Sequence, residues 1–181
     1  AIIGLYTAGA FFYGFTFFVD PMVQDFHWTY LAISLGASFR SVEMGVAAPL
    51  MGFLVDRFGP RKLIFFGGLV GGLGFILLSR TSSLAMFYGV FIVLSIGFSA
   101  CASVVLTTAV ANWFHRRVSL AMGLTTAGFG MGGLLLPVLV WLINHYQWQT
   151  TLVILGIGTW IIIPLFALVI RHKPEQYGYL P

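Results

Sequence analysis

The sequence predicts an all-α membrane protein in which six transmembrane helices form one bundle with both ends in the cytoplasm. Three observations lead there. Of 181 residues, 59% are hydrophobic and only 8% charged, against about 25% charged in an average soluble domain, and mean hydropathy is +0.98. A water-facing globule of that composition would expose apolar patches that soluble monomers rarely carry. The apolar residues fall into runs near the roughly 20 residues of helix that cross a bilayer core of about 30 Å. Lys and Arg gather in alternate gaps between those runs, the bias that sets membrane orientation.

The runs are Ile2 to Val19, Leu31 to Val55, Leu63 to Ser79, Leu84 to Ala111, Val118 to Ile143 and Thr151 to Ile170. None shows the ten-residue alternation of a membrane β-barrel. The second gap holds Arg57, Arg61 and Lys62, the fourth Arg116 and Arg117, and the tail Arg171 and Lys173. The opposite side has Arg80 alone, with Asp20 and Asp25. Seven basic residues against one place both chain ends in the cytoplasm. The sequence opens on Ala1 inside an apolar run, with neither Met nor a basic leader, so the true start is expected upstream.

Other function classes are disfavoured on the same page. Net charge is +4, but the basic residues form no stripe, and a nucleic-acid partner is not expected. A single cysteine, Cys101, rules out an internal disulfide and reads as a small packing residue. The histidines His27, His115, His145 and His172 fall in gaps or at helix ends, none spaced i, i+4 with another ligand. No metal, no cofactor and no enzyme chemistry is therefore expected. A channel would need a filter or a ring of like charges, and neither is visible.

Small residues mark helix contacts. Gly67 with Gly71, Gly68 with Gly72, and the run GFGMGG from Gly128 to Gly133 let helix backbones approach closely. Pro137 and Pro164 lie inside the fifth and sixth runs, where each removes a backbone hydrogen bond and can kink its helix.

The second run carries the chemistry. Arg40 and Glu43 are three residues apart near its middle, on neighbouring positions of one helical face. Ionisable groups at that depth are costly and normally face a cavity or one another, so this face is expected to look into the bundle. Two readings stay open. The pair neutralises itself and fixes packing, or it lines a water-filled path in which Arg40 holds an anion or Glu43 takes up a proton. In the first run Tyr6, Tyr13 and Phe17 are seven and four residues apart, which puts them on one face of a regular helix. Two hydroxyls inside a membrane need partners, which predicts a polar cavity beside Tyr6 and Tyr13.

Residues 52 to 62, GFLVDRFGPRK, resemble the loop that joins the second and third helices in the major facilitator superfamily, matching at Gly52, Leu54, Asp56, Arg57, Gly59, Arg61 and Lys62. Pro60 departs from the pattern, standing where a basic residue is usual. That variant resembles the branch containing monocarboxylate transporters and oxalate/formate exchangers, as do SFRSVEMG, NWFHRRVSLAMGL (112 to 124) and KPEQYGYLP (173 to 181). The resemblance spans essentially the whole chain.

What it implies is the amino-terminal half of a rocker-switch carrier: a bundle built as a 3+3 inverted repeat around a central site. The expected function is secondary active transport of a small organic anion, proton-coupled or by exchange. A carboxy-terminal six-helix half, on the same chain or a second copy, is the expected partner, with a prokaryotic inner membrane as location. By the same resemblance Asp56, with Arg57, Arg61 and Lys62, forms a cytoplasmic gate, Gly52 permits contact between the halves, and Gly59 makes the tight turn. Tyr6 and Tyr13 help cage a carboxylate whose cationic partners lie mainly in the other half. Alternatives are another carrier of the superfamily, for a drug or a sugar, or a sensor derived from one. Drug export is disfavoured because Pro137 follows Gly133 by four residues and makes no Gly-Pro dipeptide.

Overall fold

The computed structural model describes residues 1–111 and 118–170 and is helical with short connections. The helices are α1 (Ile2–Phe26), α2 (Tyr30–Phe58), α3 (Pro60–Ser79), α4 (Leu84–Ala111), α5 (Val118–His145) and α6 (Trp148–Val169). Among the described residues, α1, α3, α4, α5 and α6 are long and apolar enough to cross a membrane. At 29 residues, or about 44 Å, α2 is also long enough, but Arg40, Glu43 and its Asp56-Arg57 end interrupt its apolarity. Arg116, Arg117, Arg171 and Lys173 lie outside the described residues.

Most helices extend beyond their apolar runs, and the physical reasons are plainest in the first and third. The first continues past Val19 to Phe26 because Phe18 and Met22 are buried, each 1% exposed, which outweighs the backbone bond lost at Pro21. It stops at His27, whose φ of 53° is the left-handed conformation that closes many helices. Asp25 there accepts hydrogen bonds from Trp148 Nε1 and Gln149 Nε2, and Phe26 meets the Trp148 ring edge-on at 5.7 Å, tying α1 to the start of α6. The third helix begins at Pro60 instead of Leu63. Gly59, with φ of 83°, is the only residue between α2 and α3, and Pro60 supplies the fixed φ that suits a first helical position.

The interior is seamed by glycine. A Cβ on Gly97 of α4 would stand 2.5 Å from the Gly71 nitrogen of α3, and one on Gly156 of α6 would stand 2.8 Å from the Gly72 oxygen. Helix α3 is thus clamped at backbone distance from both neighbours, the small-residue packing used where lipid removes the hydrophobic drive between helices. Helices α1 and α5 cross in the same way, with a Gly9 Cβ 2.6 Å from the Gly132 oxygen. Between these seams lies an aromatic core in which Phe11 stacks on Phe98 at 4.7 Å and Phe15 meets Phe91 edge-on at 4.8 Å.

Three helices are irregular in mid-span. Helix α1 takes a π-helical turn over Ala8–Tyr13, α4 loosens into a turn at residues 100–102, and α5 tightens to a 3-10 segment over Met131–Leu135, just before Pro137.

Candidate functional site

The breaks in α1 and α4 border a common cavity of about 320 Å³, and α5 closes it with the turn that precedes its own break. Phe12 and Tyr13 come from α1, Ser103 and Thr107 from α4, and Thr126 and Phe129 from α5. Such π-turns and interrupted helices are found disproportionately where membrane proteins bind solutes. The hydroxyls divide by state. Thr107 donates to the Ser103 carbonyl at 2.7 Å, and Thr125, deeper in the wall, donates to the Ala121 carbonyl at 2.9 Å. Tyr13, Ser103 and Thr126 make no side-chain hydrogen bond to another described residue. Their O–H groups are therefore free to meet an acceptor, and Tyr13 is 44% exposed.

Tyr6 is elsewhere. It is buried, its hydroxyl donates to the Leu155 carbonyl at 2.8 Å, and the oxygen lies 3.3 Å from Thr159 Oγ1. The shared face expected for Tyr6 and Tyr13 fails because the π-turn between them, with its i→i+5 bonds, winds less per residue than a regular helix and shifts the register of everything after it. Tyr6 clasps α6, while Tyr13 faces the cavity.

Arg40 and Glu43 are both half-buried and turn toward the bundle, but apart. Arg40 donates to the Phe11 carbonyl at 3.3 Å and lies over the Phe11 and Phe12 rings, 5.3 and 5.1 Å from their centroids. Glu43 accepts from Ser99 Oγ of α4 at 2.9 and 3.1 Å. No ion pair within 4.0 Å joins the two, so the self-neutralising arrangement is not the one adopted. Positions three apart diverge by about 60° around the axis, enough to send one side chain toward α1 and the other toward α4. Phe11 O belongs to the π-turn, where the regular backbone ladder is disturbed, and the guanidinium braces it. Phe12 stands between that charge and the cavity, whose described lining includes no Lys, Arg or His.

At the far end of α2, Asp56, Arg57, Arg61 and Lys62 are exposed, and Arg57 lies 5.6 Å from the Phe58 ring centroid. Among the described residues Asp56 has no ion-pair partner. A Cβ on Gly52 would meet nothing within 4 Å, and the same holds for Gly45 of α2 and for Gly123, Gly130 and Gly133 of α5. These two helices carry an open strip. Ser95, Ser99, Ser103 and Thr126 are not among the candidates the sequence offers, although small hydroxyl residues in otherwise apolar fourth and fifth runs are a signal of polar contact inside a bundle.

A sequence profile of the Major Facilitator Superfamily matches residues 1–179. The chain belongs to that superfamily. It is 30% identical over 164 residues to an uncharacterized MFS-type transporter, YcxA, of Bacillus subtilis, covering 89% of this chain and 40% of that one. It is 33% identical over 146 residues to monocarboxylate transporter 13 of Bos taurus (77% and 33%). It is 27% identical over 165 residues to the oxalate:formate antiporter of Oxalobacter formigenes (91% and 39%). The chain thus spans between a third and two-fifths of these relatives' lengths. These three relatives are named as transporters or an antiporter, and this chain is an integral membrane member of the same superfamily.

Proposed function

We propose that the chain is one six-helix bundle of a secondary carrier for a small organic anion, a monocarboxylate or a dicarboxylate. The observation that carries this reading is the cavity at the helix breaks, with the hydroxyls of Tyr13, Ser103 and Thr126 free to donate. Three O–H donors lining one cavity suit a carboxylate, which only accepts. Relatives named as a monocarboxylate transporter and an oxalate:formate antiporter support that substrate class. A carboxylate also needs countercharge, and none lines the described part of the cavity. The cation then comes from a second bundle, supplied by the same polypeptide or by another copy, docked along the open strip of α2 and α5. Flux is driven by protons or by counter-substrate. Helix α2 is the remaining transmembrane span, both ends of the bundle are cytoplasmic, and the exposed Asp56, Arg57, Arg61 and Lys62 gate that side. The membrane is a prokaryotic plasma membrane.

The test is uptake of radiolabelled lactate, formate and oxalate by the full-length protein in liposomes, with an imposed pH gradient or with preloaded counter-substrate. At least one should enter saturably, and the other carboxylates should compete. Arg40→Ala should lower that uptake while leaving a folded protein. Indifference to all three anions, with uptake of a sugar or a drug instead, would overturn the reading. Binding without flux would make the protein a sensor.

A further inference from the structure

Between α2 and α4, away from the solute cavity, lies a cavity of about 10 Å³ bordered by Gly36, Phe39 and Glu43 of α2 and by Tyr88, Ile92 and Ser95 of α4. That is the scale of a single water. Ser95 is 2% exposed, and its hydroxyl is buried with no hydrogen-bond partner. Mid-helix serines usually bond the carbonyl one turn back, and buried hydroxyls are rarely left alone. One turn further along the same helix, Ser99 bonds Glu43. Of two hydroxyls at i and i+4 on α4, Ser99 is bonded to the carboxylate and Ser95 borders the same small cavity as Glu43 with its hydroxyl unused.

We infer that Glu43, Ser95 and Ser99, with one water in the small cavity, form a proton-binding site internal to the bundle. Glu43 takes a proton from the aqueous phase. One carboxyl oxygen goes on accepting from Ser99, while the other gains an O–H that donates through the water to Ser95 Oγ. Release reverses this and restores the carboxylate. No charged group competes for the carboxylate among the described residues. Arg40 is held by the Phe11 carbonyl. Tyr88, the titratable group of α4 at this cavity, donates to the Ala32 carbonyl at 2.8 Å. On α1, Asp20 and Asp25 lie at the outer end, and on α3, Arg61 and Lys62 are exposed in the first turn. The site rests on the carrier reading only for what the proton drives, not for whether it binds.

The experiment is infrared difference spectroscopy on the full-length protein in lipid between about pH 5 and about pH 8, which needs no transported solute. A protonated-carboxyl band should grow toward acid, vanish in Glu43→Gln, and shift in frequency and midpoint in Ser95→Ala and Ser99→Ala. A band that survives Glu43→Gln, or that ignores both serine variants, would overturn the site. So would spectra that respond to replacing choline with sodium at fixed pH and not to pH itself. In the uptake assay, Glu43→Gln should keep exchange of labelled for unlabelled lactate or oxalate but lose at least about tenfold in pH-driven accumulation. Unchanged pH-driven accumulation would remove the coupling role. A band that behaves as stated in a protein carrying none of the anions leaves the proton site standing and fails the carrier reading.

Discussion

The two sides of this bundle are built on opposite terms. On one, α3 is pressed between α4 and α6 at distances that exclude even a methyl group at Gly97 and Gly156, and 67% of the apolar stretch of α4 is buried. On the other, only 17% of the apolar stretch of α5 is buried, and α2 and α5 present glycines that touch nothing. The cavity, the free hydroxyls and the exposed Asp56 end belong to or border this open side. The difference teaches that one residue type can do two jobs within one chain: glycine closes helices together along α3 and at Gly132, and at Gly45, Gly52, Gly123, Gly130 and Gly133 it leaves a surface uncovered.

The sharpest way to break the contrast is Gly97→Val. A branched side chain where a Cβ already meets the Gly71 backbone at 2.5 Å should cost about 1–3 kcal/mol of overpacking, read as a lower unfolding midpoint in detergent. An unchanged midpoint would mean the seam is loose. The tyrosines come next and should separate stability from function. Tyr13→Phe removes a free donor and should raise the KM for the transported anion about tenfold, the equivalent of one hydrogen bond to a charged group, with no change in unfolding. Tyr6→Phe removes an interhelical bond worth about 0.6–2 kcal/mol and should lower the midpoint while leaving KM alone. The smallest effect belongs to the open strip: Gly45→Ala meets no neighbour within this bundle, where helix propensity alone would add about 0.5–1 kcal/mol. In the full-length protein that gain should be absent or reversed if a second bundle packs on the strip, and a gain of the full size would show that the strip stays uncovered.

Much of this architecture was legible in composition. Apolar runs locate the helices because the bilayer sets their length, and the third-helix glycines announce a close crossing because nothing else fits one. The helix starts at Pro60 and the end at His27 were not legible, since they depend on a left-handed residue and on burial of Phe18 and Met22, which no hydropathy sum contains. The site was half legible. Arg40, Glu43 and Tyr13 stand out as polar groups in an apolar setting, but spacing gives only the chance to pair, not the partner. Arg40 found a carbonyl in the π-turn, and Glu43 found a serine fifty-six positions away. Tyr6 leaves the face its spacing predicts because the stretch between it and Tyr13 is not a regular helix.

The lone residue between α2 and α3 limits how this bundle can move. Neighbouring Cα atoms are about 3.8 Å apart, so Gly59 lets the two helices rotate at their joint but gives no slack for one to slide lengthwise past the other. An axial push on α2 is handed straight to α3, and through its interlocked flanks to α4 and α6. Such a linkage behaves as a bell-crank, not as a hinged flap: whatever tugs at the Asp56 end shifts four rods together.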